Sequence, residues 1–183
     1  MSRALTLKQK AGNIDLQVCH LGNGLLKHPL VHRFFHIVSR MGDGVFWYAI
    51  ILSLPFLMAS GGILYAMVMT LVGLLNVYIY KRIKKALARP RPFMAYPEIT
   101  KGTQVLDEYS FPSGHTLHAV TFSMMLIACF PLAAIFLVPF AMLTAMSRVV
   151  LGVHYPSDVL VGATIGLIHG WFALTVLGWM QLV

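Results

Sequence analysis

Two stretches of this chain carry no Asp, Glu, Lys or Arg: Val45 to Tyr80, and Thr116 to Ser147. A bilayer core of about 30 Å takes ~20 helical residues, so each stretch reads as two short helices rather than one long one. Ser60-Gly61-Gly62 supplies the turn in the first, and Pro131 the break in the second. Pro55 and Pro139 fall inside predicted helices and are expected to bend them. A further apolar run extends from roughly Asp158 to Val183. Gly162, Gly166 and Gly170 recur in it at every fourth position, so another helix can approach that face closely. The segment before Val45 differs. Leu16, Val18, Leu21, Leu25 and Leu26, then Val31, Phe34, Phe35, Ile37 and Val38, are interrupted by Lys27, His28, His32, Arg33, His36 and Arg40. That mixture at helical spacing predicts helices lying in the membrane interface. It has neither the uninterrupted apolar core nor the cleavage site of a secretory signal.

The pattern predicts an all-α fold: a polytopic transmembrane helical bundle of about five spanning helices, six if the N-terminal segment also crosses. It is one domain over residues 1–183, with 1–44 as the interfacial segment and 45–183 as the transmembrane core. Composition agrees. Of 183 residues 58% are apolar and 11% charged, and the mean hydropathy is +0.75, whereas soluble domains carry about 25% charged residues. A soluble enzyme, a disordered chain and a disulfide-stapled secreted domain are excluded. Fourteen Lys plus Arg face six Asp plus Glu, a formal charge of +8. With five spans, the N-terminus, the 81–114 loop and the 148–157 loop share one side and hold all fourteen basic residues. Such an excess fixes topology or binds anions; too little soluble surface remains for nucleic acid. Cys19 and Cys129 lie in dissimilar segments and predict no disulfide. The six acids are too few and too scattered for a carboxylate-bridged metal centre, so neither a metal nor another cofactor is expected.

Three clusters on the basic side carry chemistry. Lys84, Arg91 and Arg148 are cations brought in from separate helix ends. Ser113 and the Gly114 amide open a helix, where unpaired N–H groups and the helix dipole favour an anion. A guanidinium fork matches phosphate oxygens, and lysine adds a point charge. His154 and Asp158, four residues apart at a loop-to-helix junction, allow the carboxylate to fix one ring nitrogen and leave the other free to attack phosphorus. His115, from a different helix, can then protonate the leaving oxygen.

These clusters resemble the signature of the type 2 phosphatidic acid phosphatase superfamily, K-x6-R-P, P-S-G-H and S-R-x5-H-x3-D. The matches are Lys84 with Arg91-Pro92, Pro112 to His115, and Ser147-Arg148 with His154 and Asp158. Every defining position is present with the family's order and spacing. The resemblance implies His154 as a nucleophile forming a phosphohistidine, Asp158 as its partner and His115 as the acid. It makes Lys84, Arg91, Ser113, Gly114 and Arg148 the phosphate binders. It further implies metal-independent hydrolysis of a membrane lipid phosphate or diphosphate, of the phosphatidic acid, phosphatidylglycerol phosphate or undecaprenyl diphosphate class. The lipid tail would stay in the bilayer.

Other features read as structural. Lys81, Arg82, Lys85 and Arg89 are assigned to a topology-setting flank, and His28, His32 and His36 to the polar stripe of an interfacial helix. His169 is expected to make a hydrogen bond inside the bundle, and His118 is a candidate support for His115. Phe93, Tyr96, Glu98, Lys101, Asp107 and Glu108 are expected to border the headgroup. A lipid phosphotransferase using the same intermediate is the alternative activity; a vanadate-dependent haloperoxidase and a non-catalytic membrane subunit stand behind it. The basic excess puts the site on the cytoplasmic side. The resemblance to bacterial integral members puts it at the outer face of the inner membrane, and the reading leans periplasmic. Oligomeric state is left open.

Overall fold

The computed structural model describes residues 2–58 and 60–181, and among these no strand occurs. Helix α1 (Ser2–Gly24) runs through a 3-10 turn into α2 (Pro29–Met41), which starts with Pro29 in its first turn. Gly42-Asp43-Gly44 breaks the path before α3 (Gly44–Leu57). Then follow α4 (Gly62–Leu87), the single turn α5 (Pro92–Ala95), α6 (Gly114–Cys129), α7 (Ala134–Val150) and α8 (Pro156–Trp179). The four breaks expected from Ser60-Gly61-Gly62, the Pro-rich loop, Pro131 and the 148–157 loop all occur. Gly61 takes a φ of 74° in the α3–α4 turn, which only glycine adopts without strain.

Among the described residues three apolar segments are long enough to cross a bilayer: Gly62–Ala95, Pro131–Val150 and Pro156–Trp179. Helix α3 is too short alone. It qualifies only together with α2, across a bend of 43°. Helix α2 packs on α7 and buries Phe35, Val38 and Ser39. Helix α6, at 16 residues, is also short.

The main core lies between α3, α4, α6 and α8. Trp47, Leu54, Tyr65, Met69, Phe122, Met125, Ala173 and Leu177 are buried there. The glycine stripe of α8 faces α6 as expected. A Cβ on Gly162 would meet the Ser113 carbonyl oxygen at 2.5 Å, and one on Gly166 the Leu117 carbonyl oxygen at 2.7 Å. Small residues let the backbones touch, and this fixes where α6 starts relative to α8. His169 makes the bundle-interior bond expected of it, its Nδ1 donating to Asn76 Oδ1 at 2.5 Å.

Around residues 148–157 the chain is stitched by backbone bonds. The Val153 and His154 amides both donate to the Arg148 carbonyl at 3.1 Å, and the Gly102 amide donates to the Leu151 carbonyl at 3.0 Å. Gly152 has a φ of 70°, and a Cβ there would meet the Thr100 carbonyl oxygen at 2.6 Å. Both Cys19 and Cys129 are free thiols.

Candidate active site

Lys84 ends α4, Arg91 precedes α5, Gly114 and His115 open α6, Arg148 ends α7 and His154 precedes α8. All six line one cavity of about 470 Å³. The three basic side chains are almost wholly buried: Lys84 is 4% exposed, Arg91 2% and Arg148 2%. Burying charge is costly unless it is paired, and the pairing is unequal. Lys84 Nζ donates to Asp107 Oδ1 at 2.8 Å and to the Tyr109 carbonyl at 2.6 Å. Arg91 Nη2 donates to the same Asp107 oxygen at 2.6 Å, and Nη1 to the Val153 carbonyl at 2.8 Å. Arg148 donates from Nη1 to Ser39 Oγ, while its Nε is buried without a partner. Among the described residues no carboxylate forms an ion pair with Arg148. A buried guanidinium with one hydroxyl partner, facing a cavity beside two more cations, is a site that calls for an anion.

The tautomer of His154 follows from its neighbours. Arg91 Nη1 lies 3.3 Å from His154 Nε2, and since arginine only donates, Nε2 carries the lone pair. The ring proton then sits on Nδ1, 3.4 Å from Asp158 Oδ2. The two atoms are within ion-pair reach but not aligned as a hydrogen bond. Asp158 is held from two further sides, by the Tyr155 amide at 2.9 Å and Arg89 Nη1 at 2.6 Å. Burial first, then the cations Arg91, Arg148 and Lys84, holds His154 well below the ordinary imidazole range. A neutral ring with its lone pair on Nε2 is the nucleophilic form.

His115 Nε2 lies 2.7 Å from Asp43 Oδ1, which leaves Nδ1 as the nitrogen free for a ligand. Asp43 comes from the α2–α3 break and also lines the cavity. His118 does not support His115. Its nitrogens face the Gly114 carbonyl at 2.9 Å and the Gly73 carbonyl at 3.3 Å, and its ring meets Tyr80 edge-on.

Several expectations need correction. Ser113 is not on the cavity wall; its Oγ turns back to Thr116 as the α6 N-cap, 2.9 Å from Thr116 Oγ1, because the chain must satisfy that helix end. Arg89 is not a topology flank: it reaches inward to Asp158 and Asp15. Of the loop residues expected at the headgroup, only Asp107 lines the cavity, with Leu106 beside it. Phe93 and Tyr96 pack on the 149–155 segment, Lys101 covers the Phe93 ring, and Glu98 faces His20. Burial pushes the Cys19 thiol up to about 12, the Asp15 carboxylate adding to it, so this thiol stays protonated.

Sequence reasoning missed Asp15, Ser39 and Asp43, and gave Arg89 the wrong role. One signal was available. In a chain with six acids, each carboxylate in a basic surrounding has few other reasons to be there, and four of them pair with bases in or behind the site.

Away from the charges the cavity continues as an apolar slot between α3 and α4. It is walled by Trp47, Ile51, Leu52, Met69, Leu74 and Val77, with Phe122 from α6. Leu52 and Leu74 are also exposed on the outside of the bundle, so the slot opens sideways there.

The sequence model of the PAP2 superfamily matches residues 61–181. Over 109 residues the chain is 35% identical to undecaprenyl-diphosphatase BcrC of Bacillus subtilis, covering 60% of this chain and 54% of that protein. It is 34% identical over 90 residues to the decaprenylphosphoryl-5-phosphoribose phosphatase of Mycobacterium tuberculosis, covering 48% of each. The chain thus spans about half the length of these curated relatives. The crystal structure of Aquifex aeolicus LpxE superposes with a TM-score of 0.76 at 29% identity, covering 87% of this chain and 94% of that one.

Proposed function

The chain belongs to the PAP2 superfamily, and from that membership we propose that it is a membrane-embedded phosphatase acting on a lipid phosphate or diphosphate. Three buried cations around one cavity, with Arg148 lacking a carboxylate partner among the described residues, carry this reading. The phosphate takes the place between Lys84, Arg91 and Arg148, with the Gly114 end of α6 adding helix-dipole stabilisation. Arg91 transfers its Nη1 bond from His154 Nε2 to a phosphate oxygen. Nε2 then attacks phosphorus and the bond to the lipid oxygen breaks. The leaving oxygen takes a proton from His115 Nδ1. In the second step His115 accepts a proton from water as that water attacks the phosphohistidine, and inorganic phosphate leaves. The slot between α3 and α4 takes the first part of the lipid tail. The relatives' names point to polyprenyl phosphates and diphosphates, anionic headgroups on long apolar tails.

We place the protein in a bacterial cell membrane, in line with its bacterial relatives, and propose the periplasmic face for its site. A membrane-impermeant maleimide against a cysteine introduced at Glu108, in a chain lacking Cys19 and Cys129, reads that sidedness.

The deciding experiment is phosphate release by the purified chain from a panel of lipid phosphates, with chelator present. Expected is turnover on at least one lipid that chelator leaves intact and that His154→Ala abolishes. No release from any of them, or release unaffected by His154→Ala, refutes the proposal. Loss of activity to chelator, restored by a metal, refutes the metal-free route.

A further inference from the structure

Helix α1 precedes the residues that the PAP2 family matches, yet it reaches the site. Among its described residues the buried side chains, Asp15, Cys19 and Asn23, recur at every fourth position and so share one face. That face lies on the segment carrying His154. Asn23 Nδ2 donates to the Val150 carbonyl at 3.1 Å and to the Thr100 carbonyl at 2.9 Å. Cys19 Sγ is 3.7 Å from the His154 carbonyl oxygen. Asp15 goes further. Its Oδ1 accepts the Ser157 amide at 2.9 Å, at the N-terminus of α8, where a carboxylate is favoured. Its Oδ2 accepts the Ser157 hydroxyl and, at 2.8 Å, Arg89 Nη2.

Arg89 passes the constraint on. Its other branch, Nη1, donates to Asp158 Oδ1 at 2.6 Å and to Ser157 Oγ at 2.8 Å. The guanidinium lies over the Tyr155 ring, 3.9 Å from its centroid. A guanidinium is a rigid planar fork, so fixing one branch on Asp15 and its face on Tyr155 fixes where the other branch meets Asp158. Asp158 in turn stands 3.4 Å from His154 Nδ1. With the Asp15 charge removed, the fork loses one anchor, and one of the two bonds that place Asp158 beside the His154 proton, the other being the Tyr155 amide, is loosened.

We propose that Asp15 is a positioning residue for phosphoryl transfer, acting through Arg89 and Asp158 on the tautomer and aim of His154. The inference rests on His154 being the nucleophile. Asp15 does not touch the cavity, so its effect falls on the rate of the chemical step rather than on binding.

The test uses the full chain in detergent on a lipid phosphate that it turns over. Asp15→Asn keeps the shape and an acceptor but not the charge. Its kcat is expected to fall about tenfold or more, the loss typical of an outer hydrogen-bonded partner. KM, and inhibition by inorganic phosphate, stay within about twofold of the parent because the cations are untouched. Asp15→Glu restores part of the rate, and Asp15→Asn costs nothing more once Arg89→Gln is present, since both break one relay. An unchanged kcat in Asp15→Asn, or a loss that adds to that of Arg89→Gln, overturns the proposal. So does a variant that unfolds or is no longer protected from heat by inorganic phosphate, since Asp15 would then only dock α1. An inactive parent chain is a different failure: it removes the phosphatase reading itself.

Discussion

Asp107 Oδ1 accepts from Arg91 Nη2 at 2.6 Å and from Lys84 Nζ at 2.8 Å, so a single carboxylate oxygen bridges two of the cations proposed to bind phosphate. On that reading the carboxylate competes with a phosphate oxygen for the same donors. A bound headgroup must displace it or bind beside a like charge.

Asp107→Asn is therefore expected to tighten inhibition by inorganic phosphate about three- to tenfold, equivalent to roughly 1 kcal/mol. The same change leaves two buried cations less well paired and lowers the melting temperature of the ligand-free protein. Inhibition and thermal unfolding measured on one preparation give the two opposite shifts. Weaker inhibition would assign Asp107 to holding the cations in place for the ligand.

His115, with its Nε2 bound to Asp43, is expected to protonate the leaving oxygen. His115→Asn should then lower kcat on an alkyl phosphate by about 10²- to 10⁴-fold, the usual contribution of a general acid. A substrate whose leaving group is acidic, such as p-nitrophenyl phosphate, needs no proton and should lose far less. Equal losses on both substrates would remove His115 from that role.

The unfolded chain carries His154 with an ordinary imidazole near 6.5, whereas the folded protein holds it well below that value. As the pH falls through 6.5, the unfolded form takes up a proton that the folded form refuses. Stability therefore declines as the pH is lowered through and below that point and is insensitive to this group above it. Thermal unfolding in detergent between about pH 7.5 and about pH 5.5 should show the decline, and a shallower one in His154→Asn. An identical slope in the variant would locate the effect elsewhere.

Gly162→Val puts side-chain carbon where 2.5 Å separates a Cβ from the Ser113 carbonyl oxygen. Backbone cannot yield as a side chain can, so at least the ~1–3 kcal/mol of an overpacked core is expected, together with loss of activity as the start of α6 moves. Gly178→Ala, in the same helix but with nothing within 4 Å of its Cβ, should be neutral or stabilising. Melting temperature and phosphate release of the two variants make the comparison.

The cations and imidazoles were legible because each belongs to a short pattern at a helix end, where local sequence decides both the helix start and the side chains around it. The glycines at 162, 166 and 170 were legible for the same reason: spacing alone puts them on one face. Asp15, Ser39 and Asp43 were not. Each lies more than 70 positions from its partner in the chain, and no local pattern marks a contact made by packing α1 and α2 onto α7 and α8. Phe93 and Tyr96 misled in the opposite direction. Aromatic residues beside a basic motif resemble a headgroup rim, but here they supply the apolar backing of the segment that holds His154. The span count was blurred at α3, whose 14 residues need α2 across the Gly42-Asp43-Gly44 break.

Leu52 and Leu74 are at once wall and outer surface, so on the proposed reading a long-chain lipid arrives from the side, by diffusing in two dimensions. The concentration that sets the rate is then the mole fraction of that lipid among its neighbours, not the amount per volume of solution. Diluting the lipid with inert detergent at constant total lipid phosphate should slow the enzyme as surely as removing it.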